Sequence, residues 1–138
     1  MPQVRIQVLC GPPSAHPRRM GWSTGAIGRD EWYAWRLIGT NNHELGRSAL
    51  SFRSYRAALA AFAEVQAGHD RLVQLPVPER PTGRWGWRLE LDGAAVAVSG
   101  RWYRRDKLSL LGAAKFVALC AAAEPADGVV ALQDRAAR

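Results

Sequence analysis

The sequence predicts an α+β domain. Two tandem β-rich/α units build one mainly antiparallel sheet, and two helices cover one of its faces. Three observations predict this. Trp35-Arg36-Leu37 recurs as Trp87-Arg88-Leu89. Asn41-Asn42-x-x-Leu45-x-x-Ser48 is matched by Asp92-Gly93-x-x-Val96-x-x-Ser99, and an aromatic residue stands four places beyond each Ser, Phe52 and Tyr103. An apolar, Ala-rich segment follows each aromatic. A period of about 51 residues seen twice marks a duplicated unit. At 138 residues the chain suits a single domain, 1–138. Its first unit spans about 1–77, with a long loop at 10–31, and its second about 72–134.

The elements follow in order. Val4 to Leu9 alternates with period two, as a half-buried strand does. Residues 10–30 are dense in Pro and Gly, which block helix and central strand alike. So long an irregular stretch is expected to be functional or mobile. Trp32 to Ile38 is a strand with Trp35 and Leu37 on one face and Arg36 and Ile38 on the other. Asn41-Asn42 suits a tight turn into a return strand from about Glu44 to Phe52. Ser54 caps a helix that carries Leu59, Phe62 and Val65 along one stripe and ends at Gly68. Leu72 to Val77 is a short strand that closes the first unit or opens the second, and 76–83 is the joint. Trp85 to Leu91 and Ala94 to Tyr103 form a hairpin around Asp92-Gly93. Asp106 is the expected N-cap of a second helix reaching about Ala123, which Pro125 stops. Gly112 weakens this helix or permits a close approach to the sheet. Val129 to Leu132 is a last short strand.

The pattern of aromatic-x-Leu, turn, x-x-apolar-x-x-Ser, aromatic and Ala-rich helix resembles the DUF1508, or YegP-like, family. The resemblance covers about residues 31–66 and 83–123. It implies tandem β-β-β-α-β units in one antiparallel sheet, with terminal strands exchanged between the units. The turn Asn41-Asn42, where the family usually has Asn-Gly, and the long stretch 10–30 depart from the pattern. The resemblance implies no activity, cofactor or catalytic residue.

Charge is the other compositional signal. The net charge is +7, from 17 Arg but only Lys107 and Lys115 on the basic side. Arg with much Ala and Gly fits a GC-rich coding bias; an anionic partner is the sharper explanation. Arg36 and Arg88 occupy equivalent places on the face away from the Trp/Leu core. Arg47, Arg53, Arg56, Arg101, Arg104, Arg105 and Lys107 fall near the strand–helix junctions. An Arg surface beside Trp22, Trp32 and Trp102 could grip phosphates and stack bases. Arg36, Arg88, Arg53, Arg101, Arg104 and Arg105 are therefore the candidate anion or partner surface.

Motifs for catalysis lack their setting. Gly21-Trp22-Ser23-Thr24-Gly25 matches G-x-S-x-G but has neither the preceding strand nor the following helix. Cys10 and His16 could be nucleophile and base, yet Gly11-Pro12-Pro13 denies the Cys a helix N-terminus. They read as a strand-end Cys and a surface His. His43 and His69 read as solvent-exposed, and no His spacing suits a metal. Glu90 and Asp92 beside Arg88 suggest a surface ion pair. No cofactor is expected. Two distant Cys suggest no disulfide framework and a reducing cytoplasm. The most apolar stretch, Leu108 to Ala123, is too short to span a membrane, so no membrane insertion is expected.

Two functions compete. The first is a small non-catalytic interaction module or accessory subunit, with a protein partner or self-association through the open sheet face or an edge. The second is a nucleic-acid-binding protein using the Arg-rich surface. An enzyme working through Cys10 or Ser23 is disfavoured.

Overall fold

The computed structural model describes residues 3–16 and 30–132. Seven strands and two helices follow in the order β1 (Arg5–Gly11), β2 (Trp32–Ile38), β3 (Glu44–Ser48), α1 (Tyr55–Ala67), β4 (Val73–Glu79), β5 (Arg84–Leu91), β6 (Ala94–Val98), α2 (Asp106–Cys120) and β7 (Glu124–Ala131). They form one sheet of order β4-β5-β6-β3-β2-β1-β7. Every neighbouring pair is antiparallel except β1 and β7. Each hairpin is local, and the two join at the centre through β3 and β6. The strand after each helix leaves its own hairpin: β4 pairs with β5, and β7 crosses to pair with β1.

The Trp/Leu faces of β2 and β5 turn toward the helices. Trp35, Leu37 and Ile6 pack with Phe62 and Val65 of α1; Trp87, Leu89 and Ala97 pack with Ala113, Phe116 and Cys120 of α2. Phe116 stands between the two indoles, 6.0 Å from Trp35 and 5.4 Å from Trp87. The repeated Ser acquires a physical role here. Ser48 Oγ accepts from Trp35 N at 3.2 Å, and Ser99 Oγ accepts from Trp87 N at 3.1 Å. Each hydroxyl replaces a ladder carbonyl where the return strand bulges. Pairing resumes at the bridges Tyr33–Phe52 and Trp85–Tyr103, which explains the aromatic four places on. The second turn has Asp92 and Gly93 both at positive φ, as an Asp-Gly hairpin requires.

Several boundaries differ from expectation. Ser54 does cap α1, through Ala57 N, and Gly68 ends it. Asp106 is not a cap: Arg105 holds that position without a side-chain hydrogen bond, and Asp106 is the first helical residue. Helix α2 stops at Cys120 rather than Ala123. Gln66 Nε2 donates to the carbonyls of Cys120 and Ala123, at 3.0 and 2.8 Å, and so takes up orphan groups at that end. Pro125 lies inside β7, which is longer than Val129–Leu132. Pro76 and Pro78 belong to the edge strand β4 rather than to a joint, and an edge is where Pro is tolerated. Strand β1 runs two residues further than expected, to Gly11, and Pro13–Ala15 makes one 3-10 turn. Ser23, Trp22 and the G-x-S-x-G motif lie outside the described residues, as does most of the expected loop.

Candidate interaction surface

Among the described residues no helix covers the second face of the sheet. Strand alternation sends Arg36, Arg88, Arg47 and Glu44 to this face. The register then sets one row across six strands: Leu75, Arg88, Val98, Arg47, Arg36, Gln7. Sequence reading put Arg47 near a strand–helix junction; it sits in the middle of this row.

The guanidiniums in the row have partners. Arg36 Nε donates to Gln7 Oε1 at 2.7 Å, and Arg36 also lies 3.7 Å from Glu44. Arg47 Nε donates to Glu44 as well, so one carboxylate serves two Arg. Burial lowers the Arg36 pKa, with Glu44 opposing that shift and Arg47 and Arg5 adding to it. Arg88 pairs with Glu90 at 3.2 Å, as expected. Asp92 does not join them; it faces Arg71 at 3.5 Å across an exposed gap. Further out, Arg84 donates to Glu79 at 2.8 Å. That ion pair and the hydroxyl of Thr82 hold the Glu79 carboxyl below its usual range, with Thr82 the larger cause.

The junction arginines lie elsewhere. Strands β3 and β6 run antiparallel at the centre, so the chain leaves them at opposite ends of the sheet. Arg53 therefore sits at one end, and Arg101, Arg104 and Arg105 at the other. All four are exposed. Arg101 covers the Tyr103 ring at 4.8 Å. The six candidate positions thus divide among a face and two ends, and do not make one stripe.

The sheet also separates Cys10 from His16. Cys10 is paired with Tyr33 and shares its face, whereas Trp32 and the residues around it lie on the other. Burial raises the Cys10 pKa first, and the Glu31 carboxylate raises it further, so its thiolate is disfavoured. His16 was expected at the surface and is instead 1% exposed. Its ring meets Trp32 edge-on at 6.0 Å and its Nε2 is hydrogen-bonded to Ser51 Oγ at 2.8 Å. Trp32 Nε1 donates to the Pro12 carbonyl at 2.9 Å. Beneath lies a second apolar cluster, Leu9, Trp32 and Ala34, joined by Val130 and Leu132. Its signal was present in Trp32-Tyr33-Ala34-Trp35, which is apolar on both faces and so needs cover on both. His43 is exposed as expected, but His69 is half-buried, with Nδ1 2.9 Å from the Gln66 carbonyl. No group of three His, Cys, Asp or Glu among the described residues could hold a metal ion.

Sequence reasoning noted Trp102 only as an aromatic near Arg. It lies over Gly86, where a Cβ would come within 3.0 Å of its ring, and Arg84 sits 5.7 Å from the ring centroid. The indole is 43% exposed, an uncommon state for a residue that large.

No family model matches the chain, and no curated protein matches it. Among solved structures it is similar to the solution structure of yegP from E. coli, a protein of unknown function. The likeness covers 97% of this chain and 95% of that one, at 12% sequence identity and a TM-score of 0.55. It shows a shared α+β fold. No helix of the described residues is long and apolar enough to cross a membrane.

Proposed function

We propose that this protein is a small non-catalytic interaction module of the YegP-like, DUF1508 kind. In this reading two copies of one hairpin–helix unit form a single domain, which works in the cytoplasm and meets a protein partner on its helix-free sheet face. The observation that carries the reading is the row Leu75–Arg88–Val98–Arg47–Arg36–Gln7. It mixes apolar and guanidinium groups, and Glu44 and Glu90 already engage the latter. Arg and Trp on a partly apolar surface suit a protein interface. A phosphate track instead calls for cations free to replace counterions. The raised Cys10 pKa and its separation from His16 weigh against thiol catalysis.

Nucleic acid is the second reading. Arg101, Arg104 and Arg105 favour it, because all are exposed and none forms an ion pair with a described residue. One experiment covers both. Tagged wild-type chain and the Arg36→Glu/Arg88→Glu variant are used for affinity capture at physiological salt, with and without nuclease. Both melting curves are recorded first. A protein partner that survives nuclease and falls about tenfold or more in the variant supports the module. Gel shifts with DNA and RNA at rising salt supply the other arm. Submicromolar binding that persists at physiological salt and is lost in the variant would transfer the function to nucleic acid. Capture of neither would remove both readings.

A further inference from the structure

Helices α1 and α2 agree on their buried sides. The 51-residue offset places the N-cap Ser54 on the N-cap Arg105, and buried Ala58, Phe62 and Val65 on buried Ser109, Ala113 and Phe116. Their outward sides do not agree. On α1 the outward residues Arg56, Ala60, Ala63 and Glu64 are exposed. The matching residues on α2, Lys107, Leu111, Ala114 and Lys115, are exposed too. Leu108, 45% exposed, stands where α1 has Ala57. Leu111 is 66% exposed, the most of any large apolar side chain among the described residues. The outward face of a surface helix ordinarily carries charged and polar groups. Because α1 folds with Ala at both places, the fold itself does not require these two Leu.

Charge differs as well. Arg56 and Glu64 balance on α1, whereas Lys107 and Lys115 share one sign. These two are the only Lys in the chain. Lys107, Leu111 and Lys115 are spaced four apart, so they form one outward line. No acidic residue occurs between Asp106 and Glu124. Arg104 and Arg105, both exposed, immediately precede the helix. None of these four cations forms an ion pair with a described residue. Asp106 alone opposes them, which leaves a net charge of about three on this face.

We propose that the outward face of α2 rests on an anionic phospholipid surface without crossing it. The proposal goes beyond the interaction-module reading and uses the opposite side of the sheet. A leaflet supplies both complements at once: anionic headgroups for the cations, and an apolar layer beneath them for Leu108 and Leu111. Lys lays its stem along such a boundary while its ammonium stays among the headgroups. Nucleic acid gains nothing from a Leu in the middle of the cationic line. A second copy of the chain would bring like charges together. Each cation beside an anionic leaflet strengthens binding about fivefold, so a net three give about a hundredfold. Two Leu add only a shallow apolar contact, so binding is reversible and requires anionic lipid.

The test is flotation of the full chain at physiological salt with vesicles of phosphatidylcholine, alone or with about 30% phosphatidylserine. Wild type should bind the phosphatidylserine vesicles, and pure phosphatidylcholine at least about tenfold more weakly. Leu108→Ala/Leu111→Ala should weaken binding about tenfold or more, with melting unchanged because α1 folds with Ala at both places. Lys107→Glu/Lys115→Glu should weaken it about a hundredfold or more. Arg36→Glu/Arg88→Glu makes the same charge change on the open face and should cost far less. A polarity-sensitive dye attached at Leu111→Cys should shift to the blue on the phosphatidylserine vesicles. No binding to these vesicles, equal binding to both kinds, or an unmoved dye would overturn the proposal. So would full binding by the leucine variant, which marks a bare polyanion site, or equal losses from the two Glu pairs, which mark net charge alone. A wild-type dimer that the leucine variant splits would make a second copy the occupant and overturn it too. If vesicles fail while Arg36→Glu/Arg88→Glu still loses a protein partner, this site falls and the module stands.

Discussion

Gly46→Ala should destabilise the protein by about 2 kcal/mol. Gly46 lies on β3 opposite Leu37, facing the helices. A Cβ there would land against Cη2 of Trp87, 2.9 Å from its Cζ2 and 2.8 Å from Phe116 Cδ2. Neither ring can retreat, because Trp87 is 1% exposed and Phe116 fully buried. Overpacking of this kind costs about 1–3 kcal/mol. The lower freedom of the unfolded alanine chain returns about 0.5 kcal/mol or slightly more. Two rigid rings at the contact favour the upper half of the range. For a chain of this length each kcal/mol moves Tm by roughly 3–5 °C, so a fall of about 6–10 °C is expected. Urea unfolding followed by Trp fluorescence should show a lower midpoint at unchanged slope. The mechanism has its own check. Trp87→Phe removes Cη2 and Cζ2 and leaves the Phe116 contact, so Gly46→Ala should cost less, though not nothing, in that background. The double-mutant coupling should then be about 1–2 kcal/mol. A wild-type midpoint for Gly46→Ala, or strict additivity with Trp87→Phe, would refute the argument.

Further outcomes follow from the same contacts. Trp35→Ala and Trp87→Ala should each cost about 3–5 kcal/mol in denaturant unfolding, since both indoles are core. Ser48→Ala should cost about 1–3 kcal/mol by the same assay, because it strands the buried Trp35 N–H. Glu79 should titrate below ordinary glutamates by NMR, and Thr82→Val should raise its pKa toward them, Thr82 being the larger cause. A depressed carboxyl stabilises the fold above its unfolded pKa, and that contribution is lost as pH falls through the lowered value. Cys10 and Cys120 should react slowly with a thiol reagent at neutral pH and rapidly after denaturation. Burial is the leading cause of the raised pKa of each.

Both hairpins, both helices and the core indoles were legible in the sequence because their signals are local. Alternation assigned Trp35 and Leu37 to one face and Arg36 to the other. Asp92-Gly93 fixed a turn through positive φ, and Ser54 and Gly68 bounded a helix through capping. Alternation put Arg36 and Arg88 on the open face, whereas Arg47 read as a junction residue, and the ion pairing of these arginines was not legible. Glu44 reaches Arg36 only after β2 pairs with β3 across a bulge, and it meets Arg47 three residues along its own strand. His16 looked like a surface residue because nothing near it in sequence announces that Pro12–His16 folds onto Trp32. The path of β7 was equally hidden, since a parallel strand that crosses to β1 has no turn to reveal it. The sequence by itself therefore determined which segments become strands and helices and which face of each is apolar. The tertiary structure decided which apolar faces meet and which charges find partners. The reason is physical: periodicity and turn chemistry act within a few residues, whereas burial and ion pairing depend on surfaces that come together only on collapse.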